Sequence, residues 1–253
     1  MKCQILLYKY DPDLSGFNQL IIKNKIMSEK LTQLYLPKGE WFDSISKAFS
    51  RANLEISAPP RCYEYKFTSS KLPIIFQAIR SKEVCLDVND PETSVNGGFT
   101  GSDIVIEQYS TALWTFPLYN FESEKDNFPK PKIILGSTPN FRANTKDQKI
   151  QDLNSKTIYT SYPTITRRFF EENNTQVNII ERQGTIEGRW RTNFNNWAIV
   201  DIVNSGETLK ANQIEIMEEI LPAKIVYVEN SNITNQDKLR VNDLQELLYK
   251  AKI

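Results

Sequence analysis

The feature that most constrains the fold is an alternation of strand, helix and strand between residues 157 and 203. Thr157 to Thr160 is predicted as a short strand, and Pro163 stands where the first turn of a helix tolerates proline. The apolar residues expected on the buried side of that helix are Ile165, Phe169 and Phe170. Further strands are expected at Val177 to Ile180 and Ala198 to Val203, the latter a near-continuous apolar run. This alternation predicts an α/β fold with a largely parallel sheet.

The first half of the chain shows the same kind of order less clearly. Leu34 to Leu36 reads as a strand, Pro37-Lys38-Gly39 as a turn, and residues 42–52 have apolar side chains at helical spacing. Other segments are predicted from apolar runs and turn residues: strands at Cys62 to Phe67, Ile133 to Leu135, Ile214 to Ile216 and Lys224 to Val228, an apolar run at Leu72 to Ile79, turns at Asn89 to Pro91 and Asn96 to Gly98, loops at 119–132 and 137–154, and a final helix around Asp243 to Lys250. Residues 1–30 show no clear periodicity of apolar residues and are interpreted as an N-terminal appendage.

Composition restricts the chemistry more than the fold. The chain of 253 residues has no histidine, which excludes Ser-His-Asp and Cys-His nucleophiles and every metal site that needs imidazole. Its 31 basic residues balance 31 acidic ones, so no global field favours nucleic acid. Three scattered cysteines and the lack of a long apolar run predict a reduced, cytoplasmic protein without a membrane span.

The strongest local candidate for a binding site begins at Asp201 and ends at Leu209. An apolar strand runs into Ser205 and Gly206, where a glycine lets the backbone turn sharply and approach a ligand. Successive amides and the hydroxyls of Ser205 and Thr208 would suit a phosphate, and Asp201 could accept hydrogen bonds from ribose hydroxyls. A self-capped helix start, with no ligand, is the alternative interpretation of the same residues.

Glu207 favours that alternative, because a carboxylate in the first helical turn stabilises the dipole that a phosphate would use. At about 4 to 5 Å from a phosphate, this carboxylate would cost roughly 3 to 4 kcal/mol at an effective dielectric near 20. Phosphate binding here would require neutralisation by Lys210 or Mg²⁺, or an outward side chain.

Two other segments could meet an anionic ligand. Lys38-Gly39 combines an ammonium with a glycine turn after a strand, which suits a polyphosphate, although an exposed turn lysine explains it as well. Gly184 to Glu187 could offer amides and one carboxylate. Arg167-Arg168 and Arg189 to Arg191 are interpreted as solvated basic residues.

Five stretches stand in a recognisable order and spacing: LPKG at Leu36 to Gly39, TGSDIVIE at Thr100 to Glu107, YPTITRRFF at Tyr162 to Phe170, GTIE at Gly184 to Glu187, and WAIVDIVNSGETLKAN at Trp197 to Asn212. Together they resemble the short form of the ATP phosphoribosyltransferase family, over about residues 31–230. The resemblance implies a two-lobed α/β fold similar to type II periplasmic binding proteins, with the active site in the cleft. Its first lobe would hold residues 31–107 and 213–253, and its second lobe residues 108–212.

The resemblance also implies a reaction: N1 of ATP displaces diphosphate from C1 of phosphoribosyl diphosphate (PRPP), with Mg²⁺ bound to the diphosphate, as the first step of histidine biosynthesis. Asp201, Glu187 and Lys38 would be the catalytic residues, and no protein metal ligand is implied. The PRPP-binding residues would be Asp201, Ser205, Gly206, Glu207, Thr208 and Leu209. The ATP and diphosphate side would be lined by Lys38, Gly39, Gly101, Asp103 and Gly184. A homodimer and a histidyl-tRNA-synthetase-like regulatory subunit are implied as partners, with neither nucleic acid nor membrane.

The chain departs from the family pattern near this site. Glu40 stands where the family usually has arginine, and Glu207 replaces a small or basic residue in the phosphate loop. Val95 to Gly98 replaces Ala-Asp-Leu-Gly, and Pro131-Lys132 stands where Cys-Arg is expected. Two alternatives therefore stay open beside the ATP reaction: phosphoribosyl transfer to another acceptor in a specialised pathway, and a non-catalytic binding or regulatory homologue.

Overall fold

The computed structural model describes residues 31–38, 40–54, 56–57, 64–67, 72–108, 113–117, 131–137, 150–182, 197–204 and 206–250. The predicted appendage of residues 1–30 lies outside these ranges. The described residues divide into two compact units. The first unit takes those up to residue 100 together with 113–117 and 225–250, and the second unit takes the remainder. Within the described ranges, no helix is both long and apolar enough to cross a membrane.

The first unit is built on a seven-stranded sheet in the order β2-β3-β4-β1-β5-β12-β6, with labels that run in chain order. Its elements are β1 (Thr32–Pro37), α1 (Glu40–Arg51), β2 (Ile56–Ser57), β3 (Glu64–Phe67), β4 (Ile74–Ile79), α2 (Ser81–Asn89), β5 (Gly97–Gly101), β6 (Leu113–Pro117), β12 (Ile225–Glu229) and α6 (Asn235–Lys250). β1 pairs in parallel with β4 and β5, as the sequence predicts, whereas β3 and β6 pair antiparallel with their neighbours. The parallel strands therefore form the centre of this sheet.

Among the described residues, the core of the first unit contains four fully buried aromatic rings. Phe49 of α1 packs against Phe76 and Phe99, and Phe99 lies 5.5 Å from Tyr227 between ring centroids. All four side chains are at most 1% exposed. The predicted helical spacing of Phe42, Ile45 and Phe49 thus reflects a helix packed on the sheet.

The turn predicted at Asn96 to Gly98 is wrong, because both of its glycines begin β5 in the interior. A Cβ atom on Gly97 would lie 2.6 Å from the carbonyl oxygen of Val228, and one on Gly98 would lie 2.8 Å from a methyl carbon of Val84. These glycines are needed for close packing of neighbouring elements, which a local turn pattern does not distinguish from chain reversal.

The final helix, α6, begins eight residues before the predicted start at Asp243, at Asn235. Thr234 caps it: the amide of Asp237 donates to Thr234 Oγ1 at 3.2 Å, and the Thr234 hydroxyl donates to Asp237 Oδ2 at 2.7 Å. Thr32 Oγ1 donates to the other Asp237 oxygen at 2.7 Å, and Asn96 Nδ2 donates to Oδ2 at 3.1 Å. One buried carboxylate thus fastens α6 to β1 and to the start of β5.

The second unit is built on a five-stranded sheet in the order β11-β7-β10-β8-β9. Its elements are α3 (Ser102–Gln108), β7 (Lys132–Ser137), β8 (Thr157–Thr160), α4 (Pro163–Glu172), β9 (Asn178–Glu181), β10 (Trp197–Val203), α5 (Glu207–Ala211) and β11 (Glu215–Pro222). β10, β8 and β9 are parallel, which confirms the alternation seen in the sequence, whereas β7 runs antiparallel to β10 and to β11.

Three segments fall in a different unit from the predicted lobe. β6 was expected in the second lobe, but it pairs with β12 and so belongs to the first unit. Residues 213–224 were expected in the first lobe, but β11 forms a long antiparallel ladder with β7 and so belongs to the second unit. The helix α3, also expected in the first lobe, belongs to the second unit, where its Glu107 accepts two amide hydrogen bonds from α4. The sequence pattern of a short strand does not show which strand it pairs with, so the boundaries between the two units depend on tertiary contacts.

Candidate active site

Asp201 lies near the carboxyl end of β10, at the edge of the sheet where parallel α/β proteins bind their ligands. Thr160 is the partner of Val200, so Ser161, the next residue after β8, lies beside Asp201. Ser161 Oγ donates to Asp201 Oδ1 at 2.8 Å, and the amide of Ile202 donates to the same oxygen at 2.9 Å. Two donors from the protein therefore orient a half-buried carboxylate at this edge.

The face of the sheet that carries Asp201 also carries the short helix α5. Side chains of a strand alternate between faces, so Asp201 shares its face with Ile199 and Val203. These two side chains belong to a core cluster with Leu209 of α5, against which Tyr159 of β8 packs. The carboxylate of Asp201 and the loop that leads into α5 thus belong to one side of the second unit.

Gly206 makes the turn between β10 and α5 possible. Its φ of 74° is left-handed, a conformation that residues with a side chain rarely adopt. Glu207 and Thr208 are exposed, whereas the Leu209 side chain is buried in the core cluster. Among the residues predicted to bind phosphate, Leu209 could therefore act only through its backbone, and Ser205 lies outside the described residues.

A buried hydrogen bond joins two of the recognised motifs. Tyr162 Oη donates to Asp103 Oδ2 at 2.7 Å, and both side chains are at most 4% exposed. Burial raises the pKa of the Tyr162 phenol far above its ordinary value, and the nearby charges of Asp103, Asp201 and Glu107 raise it further. Asp103, predicted on the ATP and diphosphate side, thus has a contact inside the second unit.

Glu107 holds the start of α4. Its two carboxylate oxygens accept from the amides of Thr164 at 2.8 Å and Ile165 at 3.0 Å. Tyr162 occupies the position before the helix and makes no side-chain cap, so a carboxylate from α3 satisfies these amides instead. The segment of Ser161 and Tyr162 is consequently held from both sides, by Asp201 and by Glu107 through α4.

The remaining predicted site residues are distributed as follows. Lys38 lies just after β1 in the first unit with an exposed side chain, and its amide donates to the carbonyl of Ile79 at 2.8 Å. Gly101 is buried at the end of β5, immediately before α3. Gly39, Gly184 and Glu187 lie outside the described residues. Asp201, Gly206, Glu207, Thr208 and Leu209 are brought together by one strand-turn-helix segment.

Sequence reasoning missed three residues that shape this site: Ser161, Tyr162 as a donor, and Glu107. Ser161 and Tyr162 do stand directly after a predicted strand, the position at which a parallel sheet presents functional side chains. That position was a usable signal for Ser161. Glu107 had no local signal, because the helix it caps begins more than fifty residues later.

These features define an α/β protein of the type II periplasmic-binding-protein-like class, with a candidate site at the carboxyl edge of the parallel strands in its second unit. Solved structures share this fold. The ATP phosphoribosyl transferase (HisG:HisZ) complex from Thermotoga maritima matches with a TM-score of 0.64 at 19% identity, over 87% of this chain and 98% of that one. Tv2483 bound to L-arginine matches with a TM-score of 0.52 at 14% identity, over 91% and 90% of the two chains.

Sequence comparison identifies the family. The family model for HisG, ATP phosphoribosyltransferase, matches residues 80–250. The ATP phosphoribosyltransferase of Listeria monocytogenes serotype 4a (strain HCC23) is 26% identical over 223 residues, which cover 88% of this chain and 96% of that protein. The enzyme of the same name from Methanosarcina mazei is 30% identical over 220 residues, 85% of this chain and 70% of that protein. The chain belongs to the ATP phosphoribosyltransferase family, a family of transferases whose reaction is the first step of histidine biosynthesis.

Proposed function

We propose that this chain transfers the phosphoribosyl group of PRPP to N1 of ATP. The bond between C1 of the ribose and the diphosphate oxygen breaks, diphosphate leaves with the bonding electron pair, and N1 forms the new bond to C1. The family assignment and the resemblance of the motifs support this reaction. The proposal rests mainly on the position of Asp201. Ser161 donates a hydrogen bond to this carboxylate near the carboxyl end of β10, and the left-handed turn at Gly206 follows it.

In this proposal Asp201 accepts hydrogen bonds from the ribose hydroxyls. Bond breaking before bond making builds positive charge on the ribose, and a fixed carboxylate nearby stabilises that charge without reorganising. The donors Ser161 and Ile202 both reach Oδ1, which fixes the plane and direction of the carboxylate. Correct orientation of the ribose between the leaving diphosphate and N1 then supplies much of the remaining rate enhancement.

The 5′-phosphate is proposed to bind the loop of Ser205 to Leu209. The left-handed Gly206 bends the chain away from β10, and the exposed Thr208 hydroxyl is available to the solvent side of the loop. Leu209 contributes its backbone, because its side chain is buried. Glu207 is exposed at the start of α5, and phosphate binding beside it requires Lys210 or Mg²⁺ to neutralise its charge, or a side chain that points outward.

The ATP and diphosphate side is proposed to use Lys38, Gly39, Gly101, Asp103 and Gly184, with Glu187 and Lys38 joining Asp201 as catalytic residues. Lys38 has the exposed ammonium that a polyphosphate needs. Mg²⁺ belongs to the substrate in this proposal: the hard oxygens of the diphosphate carry it, and no protein ligand is assigned.

The proposal extends to partners and location. A homodimer is proposed, together with a regulatory subunit similar to histidyl-tRNA synthetase. The Thermotoga maritima structure, a HisG:HisZ complex, supports a partner protein by analogy. A biosynthetic role with soluble phosphorylated substrates favours the cytoplasm.

Calorimetry with PRPP and Mg²⁺, followed by addition of ATP and assay of diphosphate release, tests the proposal. Asp201→Asn is the matched variant, since it removes the charge and keeps the size of the side chain. Binding and release by the wild type, both reduced in Asp201→Asn, are expected. The assay is run with and without the regulatory subunit, so that lack of the partner is not mistaken for lack of activity.

The other outcomes separate the alternatives. PRPP binding without diphosphate release on ATP addition, with the regulatory subunit present, would support transfer to another acceptor. No PRPP binding would support a non-catalytic homologue whose phosphate loop is occupied by Glu207. Glu207→Ala distinguishes these cases, because it tightens PRPP binding if that carboxylate faces the phosphate.

A further inference from the structure

We infer that Arg182 binds a phosphate group of PRPP at the same sheet edge as Asp201, an assignment that rests on the proposed function. Arg182 follows β9, and its amide donates to the carbonyl of Thr160 at 2.8 Å, which continues the parallel ladder one residue beyond the strands. Arg182, Ser161 and Asp201 therefore form one row across β9, β8 and β10.

The side chain of Arg182 lies on the functional face of this row. Its guanidinium carbon is 5.7 Å from the centre of the Tyr159 ring, and Tyr159 packs against the cluster that contains Leu209 of α5. Stacking on an aromatic ring holds the planar guanidinium in place while its edge stays available for hydrogen bonds. Arg182 is thus on the same face as Asp201 and the phosphate loop.

The donors of Arg182 are mostly uncommitted within the described part of the second unit. Nη1 donates to the carbonyl of Glu181 at 2.9 Å, and none of the ion pairs among the described residues includes Arg182. A guanidinium carries five N–H donors and binds phosphate oxygens in pairs. Several donors of this half-buried arginine therefore have no partner among the described residues and can serve a ligand.

A positive charge at Arg182 would offset the negative charges that oppose phosphate binding at this edge of the sheet. Asp201 in β10 and Glu207 at the start of α5 both carry carboxylates, which repel a phosphate. Neighbouring strands lie about 4.8 Å apart, so Arg182 stands about 10 Å from Asp201 between Cα atoms. A ligand that places its ribose at Asp201 can therefore reach Arg182 with a phosphate, where the guanidinium offsets the acidic residues.

The test measures binding of Mg²⁺-PRPP to the full chain by calorimetry for the wild type, Arg182→Gln and Arg182→Lys. Loss of a charge-assisted, paired hydrogen bond predicts a Kd about tenfold to a hundredfold higher for Arg182→Gln. Arg182→Lys keeps the charge but loses the paired hydrogen bonds. Its Kd should therefore lie between the values for the wild type and for Arg182→Gln. Arg168→Gln is the control, because it removes an arginine of the same unit that pairs with Glu172 on the surface of α4.

Two further readouts make the result specific. Titration with diphosphate and with ribose 5-phosphate shows which phosphate Arg182 contacts, since only one of these ligands should lose affinity in Arg182→Gln. The dependence of log Kd on salt should be shallower for Arg182→Gln than for Arg168→Gln, because one ligand-bound charge is missing. Far-ultraviolet circular dichroism verifies that each variant is folded.

The outcomes separate this inference from the proposed function. Binding by the wild type that is unchanged in Arg182→Gln and Arg182→Lys overturns the role of Arg182 and leaves the proposed function standing. Absence of PRPP binding in the wild type overturns both. Equal weakening by Arg182→Gln and Arg168→Gln would indicate a general charge effect and would also overturn the assignment.

Discussion

The phenol of Tyr162 donates to the carboxylate of Asp103 at 2.7 Å in the interior of the second unit. This bond connects the Gly-x-Asp segment at the start of α3 to the Tyr-Pro segment at the start of α4. Both segments belong to the family motifs, and Ser161, the residue that orients Asp201, directly precedes the second one. The bond therefore links the packing of two helices to the geometry of the candidate site.

Removal of that phenol should destabilise the protein. Tyr162→Phe removes the phenol that donates to the buried Asp103 carboxylate, which costs about 1–3 kcal/mol. The free energy of unfolding from urea titration measures the loss. Tyr249→Phe is the control, because this residue is 52% exposed. Equal stabilities of the two variants would contradict a contribution from the Tyr162–Asp103 bond.

Stability should fall at alkaline pH. Burial, followed by the charge of Asp87 and a hydrogen bond to it, raises the pKa of Tyr35 to about 12. Burial also raises the pKa of Tyr162 and Tyr227, each with help from nearby carboxylates. A raised pKa in the folded state means that stability is intact below the ordinary tyrosine value, about 10, and is lost as the pH rises above it.

Urea titrations between pH 8 and pH 12 test this expectation. The free energy of unfolding should decline above pH 10, and the decline should be shallower in Tyr162→Phe and Tyr227→Phe than in the wild type. A decline that is identical in all three proteins would assign the alkaline effect to other groups.

Glu107 should stabilise α4 by accepting hydrogen bonds from amides in the first turn of that helix. Glu107→Ala leaves the amides of Thr164 and Ile165 without their acceptor and should cost about 0.5–2 kcal/mol, the usual value of a helix cap. Glu107→Gln keeps one acceptor oxygen and should cost less. Glu172→Gln breaks only an exposed pair with Arg168 and should change stability by at most about 0.5 kcal/mol. Urea titration compares the three, and a larger loss in Glu172→Gln would contradict the cap.

Ser161 should act on the reaction through Asp201. Ser161→Ala removes a donor to Asp201 Oδ1, and we expect kcat/KM for PRPP to fall about tenfold, the effect of one charge-assisted hydrogen bond. Ser161→Thr retains the hydroxyl and should recover most of the activity. Ser94→Ala, in the first unit, loses a hydroxyl that donates to Gln33 and should leave kcat/KM unchanged. Equal activity of Ser161→Ala and Ser161→Thr would show that the hydroxyl of Ser161 does not contribute to the reaction.

Gly206 should be required for its backbone conformation alone. Among the described residues, a Cβ atom there would meet nothing within 4 Å, so Gly206→Ala is expected to add the strain of a left-handed φ, about 1–2 kcal/mol. Gly206→Asn should cost less, because asparagine adopts this conformation more readily. The free energy of unfolding and the Kd for PRPP measure both variants. Equal loss in Ala and Asn would point to a steric cause instead.

Local pattern predicted a large part of the fold. The strands at 157–160 and 198–203, and the proline-initiated helix between them, follow from apolar periodicity, and the structure confirms each. Thr234 and Asp237 formed a local capping pattern that would have moved the predicted start of α6 to its observed position. The prediction failed at Gly97 and Gly98, where glycines that permit close packing had the same composition as a turn.

The sequence by itself determined the strand-turn-helix segment from Asp201 to Leu209, because residues close along the chain keep their spacing in any fold that forms the strand. Only the tertiary structure decided what surrounds it. The contacts of Ser161 with Asp201, Glu107 with Thr164, and Tyr162 with Asp103 span 40, 57 and 59 residues. Such contacts depend on which strands pair and which helices pack, and burial makes them strong by excluding water. No local periodicity carries that information.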